Sequence, residues 1–168
     1  MNKFFTLLWD RPIVVFCLLV IFHSVIALTL FLVASSEYLS HLHNGQGFWN
    51  FSKDSTLYHL EASQLLFLLR NSQWFEGFWA FSEHQHVKLI ALTYWITGYD
   101  VPISFEIING LVWSSSIILI FKSSKLIFNN NIVSLVSILF FFQPSILISS
   151  TQLLKDPLFI LGICSICY

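Results

Sequence analysis

Residues 12–34 carry no Asp, Glu, Lys or Arg, whereas residues 35–86 are crowded with them, and that contrast sets the organisation of the chain. As a helix the first stretch would extend about 34 Å, enough to cross the hydrocarbon of a bilayer. It opens on Pro12, a residue suited to a first helical turn, and follows Lys3 and Arg11, so the pattern predicts a first span with the N-terminus in the cytoplasm. The small residues Ala34, Ser35 and Ser36 raise the alternative of a cleaved signal peptide, against which stands an apolar core longer than the usual 7–15 residues.

Residues 35–86 then form a long outer segment with five acids (Glu37, Asp54, Glu61, Glu76, Glu83) against Lys53 and Arg70, plus five histidines. Within it, Leu57, Leu60, Leu65, Leu68 and Leu69 recur near helical spacing, while Tyr58, His59, Glu61, Ser63 and Gln64 fall mostly elsewhere. This predicts an amphipathic helix over 55–70 lying along the membrane surface, followed by a headgroup-level aromatic cluster of Trp74, Phe75, Phe78, Trp79 and Phe81. The apolar run 87–97 would extend only about 17 Å before Gly98, too short to cross, and reads as a second surface or re-entrant helix.

Residues 101–121, about 31 Å as a helix, make the second span, which returns Lys122 and Lys125 to the cytoplasm. After an Asn129, Asn130, Asn131 turn, residues 132–149 form a third span, and 157–168 start a fourth. On this path the loop 35–100 and the pair Lys155 and Asp156 share the outer face, and Asp54 and Asp156 belong to one side. The last run covers only about 17 Å, so the chain is expected to be a fragment of a longer protein. No internal repeat or low-complexity tract is evident, and residues 1–168 read as a single membrane module.

Composition agrees with this path: 56% of residues are hydrophobic, 10% are charged, and the mean hydropathy is +0.74. A net charge of -1 with no basic patch removes nucleic acid as a partner. Cys17, Cys164 and Cys167 all lie in apolar runs, which speaks against a disulfide framework; the CxxC spacing of the last two has no second pair to complete a metal site.

A carboxylate beside a bilayer is costly unless it works or meets a partner, which singles out Asp54 and Asp156. Each also precedes a helix, so each has a structural alternative as an N-cap. Glu106 and Asn109, one turn apart in the second span, are candidates on the same ground, unless Glu106 is shallow enough to reach water or pair with Lys88. The pairs His41/His43 and His84/His86 have chelating spacing but no third ligand of fixed spacing, so no metal site is assigned to them. His23, inside the first span, reads as a packed residue bonding across helices.

Taken in order, the residues form a pattern: Asp54, Tyr58 and Ala62 at helical spacing; a short apolar helix ending in Gly (Tyr94, Trp95, Gly98); Asn109 early in a span; a basic turn (Lys122, Lys125); Pro144 in the next span; and an outer Asp156. It resembles the N-terminal module of the GT-C membrane glycosyltransferases, the group related to protein O-mannosyltransferases and lipid A aminoarabinose transferases. It departs at Ser55, where many relatives carry a second acid, which leaves the acceptor and metal use open.

The resemblance implies an all-α, polytopic membrane fold with about three full spans, the start of a fourth, and juxtamembrane helices in the first outer loop. It also implies an enzyme, when full-length, that moves a sugar from a polyprenyl phosphate donor to a glycan, lipid or protein acceptor outside the plasma (inner) membrane. This stretch alone is expected to be inactive. Asp54 would be the general base and Asp156 would orient the acceptor or hold a divalent metal ion; Lys155 and Arg70 would neutralise the donor phosphate; Tyr58 and His59 would contact the acceptor. Two rival functions stay open: a transporter or channel component, for which no internal repeat or broken mid-membrane helix is apparent, and a polysaccharide polymerase or ligase, for which the outer segments offer only Arg70.

Overall fold

The computed structural model of the protein describes residues 11–71, 73, 76–77, 79, 84–128, 131–153 and 155–168, and the side chains of all of these except 131–133, 135 and 167. Lys3, Glu83, the Asn129–Asn130 turn and most of the expected aromatic cluster lie outside the described residues; of that cluster only Trp79 is described, and it is exposed.

Residues 12–34 form one unbroken helix, α1 (Pro12–Ala34), apolar all round as a lipid-facing helix must be. Ile13, Leu18, Ile21, Val25, Leu28 and Leu32 are exposed along it, while Val15, His23, Ala27 and Ala34 are buried. The helix stops at two serines whose hydroxyls turn back onto its last turn, Ser35 Oγ to Phe31 O and Ser36 Oγ to Val33 O, both at 2.8 Å.

Beyond it come α2 (Lys53–Arg70), α3 (Gln85–Thr97), a 3-10 turn (Pro102–Phe105) that leads into α4 (Glu106–Phe128), α5 (Asn131–Leu139), a second 3-10 turn (Phe140–Phe142), α6 (Pro144–Ser150) and α7 (Asp156–Cys167). Among the described residues there is no strand; His43 and Trp49 form a single isolated antiparallel bridge. The chain is therefore all-helical. Two stretches, Pro12–Ala34 and Pro102–Phe128, are long and apolar enough to cross a membrane.

The second of these runs further than the expected 101–121. Lysine is a good helix former and nothing in FKSSKLIF breaks the ladder, so Lys122 and Lys125 stand in the last two turns of α4 and not in a turn after it. The expected span 132–149 is two helices. Pro144 has no N–H to offer Phe140 and pushes Gln143 into an extended conformation (φ -59, ψ 129), so Phe140 O takes the Gln143 N–H at 3.2 Å instead.

The residues fall into two compact units, Ala27–Glu106 with Gln152–Lys155, and Ile107–Thr151 with Asp156–Tyr168 and the chain up to Ile26. In the first, the α2–α3 unit, α2 packs on α3. The faces that meet are Ser55, Tyr58, Ala62, Leu65 and Leu66 on one helix and His86, Val87, Ile90, Ala91 and Tyr94 on the other, each at three- and four-residue spacing. Tyr58, which lies off the leucine stripe, points inward together with Leu65 of that stripe, while Leu57 and Leu60 are exposed. α3 ends where expected, at Gly98, whose left-handed conformation (φ 79) lets its N–H return to Tyr94 O at 2.9 Å.

The other unit is apolar, with a core of Val15, Trp113, Ile117, Phe121, Ile138, Phe141 and Cys164 drawn from α1, α4, α5, the second 3-10 turn and α7. Small hydroxyl residues let the helices approach: Ser114, Ser116, Ser123, Ser124 and Ser134 are buried, and Ser124 Oγ bonds Ser137 Oγ at 3.0 Å.

Candidate functional site

In the α2–α3 unit the polar residues of α2 meet a histidine pair at the start of α3. Tyr58 lies edge-on to His86, ring centroids 4.2 Å apart and planes perpendicular, and 5.2 Å from His84. One turn along α2, the Glu61 carboxylate takes His84 Nδ1 at 2.8 and 3.1 Å. On the neighbouring face His59 Nδ1 is 3.0 Å from the hydroxyl of fully buried Tyr94, with Phe48 against its ring.

Burial and charge keep much of this group neutral. His86 is pushed down to about 4, first by burial and then by the charges of His84 and Lys155. His59 is lowered by burial, which the carboxylate of Asp100 partly offsets. Tyr94 is raised, by burial and then by Asp100, so its hydroxyl keeps its proton. The Nε2 of His86 is buried and has no hydrogen-bond partner among the described residues, a state that costs about 1–3 kcal/mol unless something satisfies it.

The histidine pairs serve as braces. His43 Nδ1 accepts the Gly45 N–H at 3.1 Å and its Nε2–H donates to Tyr38 O at 2.7 Å, which uses both ring nitrogens. Among the described residues no three His, Cys, Asp or Glu side chains come together as metal ligands.

The apolar unit holds a cavity of about 160 Å³ walled by Trp113 and Ser116 of α4, Ser149 and Ser150 of α6, and Asp156 and Ile160 of α7. Each of its three serine hydroxyls donates to a carbonyl of its own helix: Ser116 to Val112 O at 2.9 Å, Ser150 to Leu147 O at 2.7 Å, and Ser149 to Ser145 O. Their protons are thus committed; Ser116 and Ser149 keep their lone pairs for a guest, whereas Ser150 also accepts from His23. With the carboxylate of Asp156, the wall offers acceptors, and Trp113 contributes an indole N–H that is buried without a partner among the described residues. Such a wall suits a guest that donates hydrogen bonds, such as an alcohol or a sugar hydroxyl. Behind it, His23 of α1 is fully buried, bonds Ser150 Oγ at 2.8 Å and lies 5.0 Å from the Trp113 ring.

The residues singled out from the sequence thus occupy distinct settings. Asp54 is exposed in the first turn of α2; the residue at the cap position is Ser52, whose hydroxyl bonds Ser55 Oγ, so the N-cap reading of Asp54 does not hold. Asp156 is itself the first residue of α7 and lines the cavity. Tyr58 and His59 sit in the α2–α3 interface, and Lys155 is near enough to His86 for its charge to act there. Arg70 reaches Gly98 O at 3.4 Å. Glu106 and Asn109 are both buried.

Sequence reasoning missed Trp113 and the three serines: Ser116 stands one turn from Trp113, but Ser149 and Ser150 come from a helix more than thirty residues on, and no local spacing joins them. It noted the chelating spacing of His84 and His86 and assigned them no metal; their register against Tyr58 and Glu61, three apart on α2, was the clue to bracing. No protein-family model, no curated protein and no solved structure matches this chain.

Proposed function

We propose that this chain is a membrane module of a glycosyltransferase that takes its sugar from a polyprenyl phosphate. Asp156 carries the reading: its carboxylate, exposed at the start of α7, lines the same cavity as three serine hydroxyls, a set of acceptors suited to holding a hydroxyl-bearing substrate. Under this reading α1 and α4 are full crossings, α5 and α6 together form a broken third, and α7 begins a fourth. The N-terminus is cytoplasmic and the reacting face lies outside the plasma (inner) membrane.

In the reaction the acceptor oxygen forms a bond to the anomeric carbon while the bond from that carbon to the phosphate oxygen breaks. The polyprenyl phosphate leaves with the bonding pair, and the acceptor's proton goes to a carboxylate. Asp54 is assigned the proton and Asp156 the orientation of the acceptor, which half-buried His59 also contacts; Tyr58, buried against His86, is given no contact with it. Lys155 and Arg70 balance the phosphate charge. The donor's tail stays in lipid throughout.

The test is transfer of labelled sugar in membranes carrying the full-length protein, with Asp54→Asn and Asp156→Asn compared to wild type. Loss of a general base is expected to slow transfer by roughly 10²–10⁴-fold. Undiminished transfer in both variants would overturn the mechanism.

A second reading, a transporter, gains from the helix interruption at Gln143–Pro144 and the buried Glu106 and Asn109, since broken helices and intramembrane polar residues mark transport paths. Substrate uptake by vesicles that show no sugar transfer would favour it.

A further inference from the structure

At the end of the apolar unit remote from Asp156 along α7, a groove of about 470 Å³ runs between the first turns of α1 and the later turns of α4. Its walls are Pro12, Ile13 and Phe16 on one side and Ile118 and Leu119 on the other, with Ser115 at its floor and Lys122 at its rim. Lys122 is half-buried; the ring of Tyr168 stands 6.0 Å from its ammonium, and among the described residues it has no ion pair. Arg11, exposed and adjacent to Pro12, brings a second cation to the same end, and Lys125 a third one turn along α4. Of the described acids, the apolar unit contains only Asp156, at the start of α7; in the sequence, Lys3 and Asp10 flank this end outside the described residues.

An ammonium set against apolar walls without an anion is unfavourable, and helices that cross a bilayer have one abundant anion within reach. We propose that this groove is a binding site for an anionic phospholipid, one acyl chain lying against Phe16, Ile118 and Leu119 and the phosphate meeting Lys122 and Arg11. The lining suits a lipid better than a soluble anion, because five apolar residues (Pro12, Ile13, Phe16, Ile118 and Leu119) share the groove with a single cation. Basic pockets between spanning helices hold anionic headgroups in this manner, and each cation near the headgroup changes affinity about fivefold.

The test uses the full chain purified in mild detergent, offered equal phosphatidylglycerol and phosphatidylcholine, with retained lipid counted by native mass spectrometry. Phosphatidylglycerol is expected to be retained at least about fivefold over phosphatidylcholine. Lys122→Ala and, separately, Arg11→Gln should each cut that preference about fivefold, while Lys122→Arg keeps it. Ser115→Phe, which fills the groove and leaves the charges in place, should abolish retention of both lipids. Equal retention of the two lipids by wild type, or a preference unchanged in Arg11→Gln and Lys122→Ala, overturns the site. So does undiminished retention in Ser115→Phe, which would reduce it to surface charge. Arg11 is exposed, so its variant reads binding even if substitution at Lys122 disturbs folding.

Discussion

The Nε2 of His23 lies 2.8 Å from the hydroxyl of Ser150, and because that hydroxyl already donates to Leu147 O, the histidine is the donor. This fixes the tautomer of a fully buried imidazole inside α1 and links α1 to α6 directly behind the cavity wall.

Replacing His23 separates bulk from bonding. His23→Leu keeps most of the volume and loses one interhelical hydrogen bond, expected to cost about 1 kcal/mol. His23→Ala also opens a void beside Trp113 and is expected to cost about 2–4 kcal/mol. Unfolding in detergent, followed by tryptophan fluorescence, measures both. Equal stability of the two variants would mean that the ring packs nothing.

The hydroxyl of Tyr94 is buried against His59 at 3.0 Å. Tyr94→Phe preserves the ring and should destabilise the α2–α3 unit by about 1 kcal/mol. Combined with His59→Phe, the two changes should fall short of additivity by about the same amount, read from protease resistance of the α2–α3 pair.

Acid should loosen that pair. His86 is held near 4 against 6.5 in an unfolded chain, so as pH falls below 6.5 the unfolded state binds a proton that the folded state refuses, and stability drops until about pH 4. The loss reaches about 3 kcal/mol at the low end, and His59, lowered as well, adds to it in the same direction. Hydrogen exchange of α2 and α3 amides, corrected for intrinsic rates, should show protection falling across this window, and His86→Phe should flatten the fall. Constant protection in wild type contradicts the assignment.

Two left-handed glycines should respond differently to alanine. At Gly98 (φ 79) a Cβ meets open space, so Gly98→Ala costs about 1 kcal/mol of backbone strain. At Gly47 (φ 89) a Cβ would stand 2.5 Å from the Phe31 ring, so Gly47→Ala adds a collision and should cost about 2–3 kcal/mol. Thermal unfolding of the two variants gives the order.

These features differ in how far the sequence disclosed them. The long apolar run of α1, the short α3 ending at Gly98 and the helical spacing of α2 were legible because period, length and a left-handed glycine are local signals. The inward face of α2 was not, since leucines occupy two of its faces and only the partner helix decides which is buried; Tyr58 and Ala62 won that side by fitting His86 and its neighbours. Counting apolar residues over 132–149 hid the break, although Pro144 was in view. Asp156 was singled out by its charge alone; the serines beside it are drawn from two helices more than thirty residues apart in the chain, a convergence that spacing along one helix does not reveal.

Because the Gln143 peptide steps out of register, the nine residues of α5 and the seven of α6 are separate rods, and neither length reaches across a bilayer unaided. The break also divides the serines between two tasks: Ser137 of α5 clasps Ser124 of α4, while Ser149 and Ser150 of α6 wall the polar chamber with Asp156.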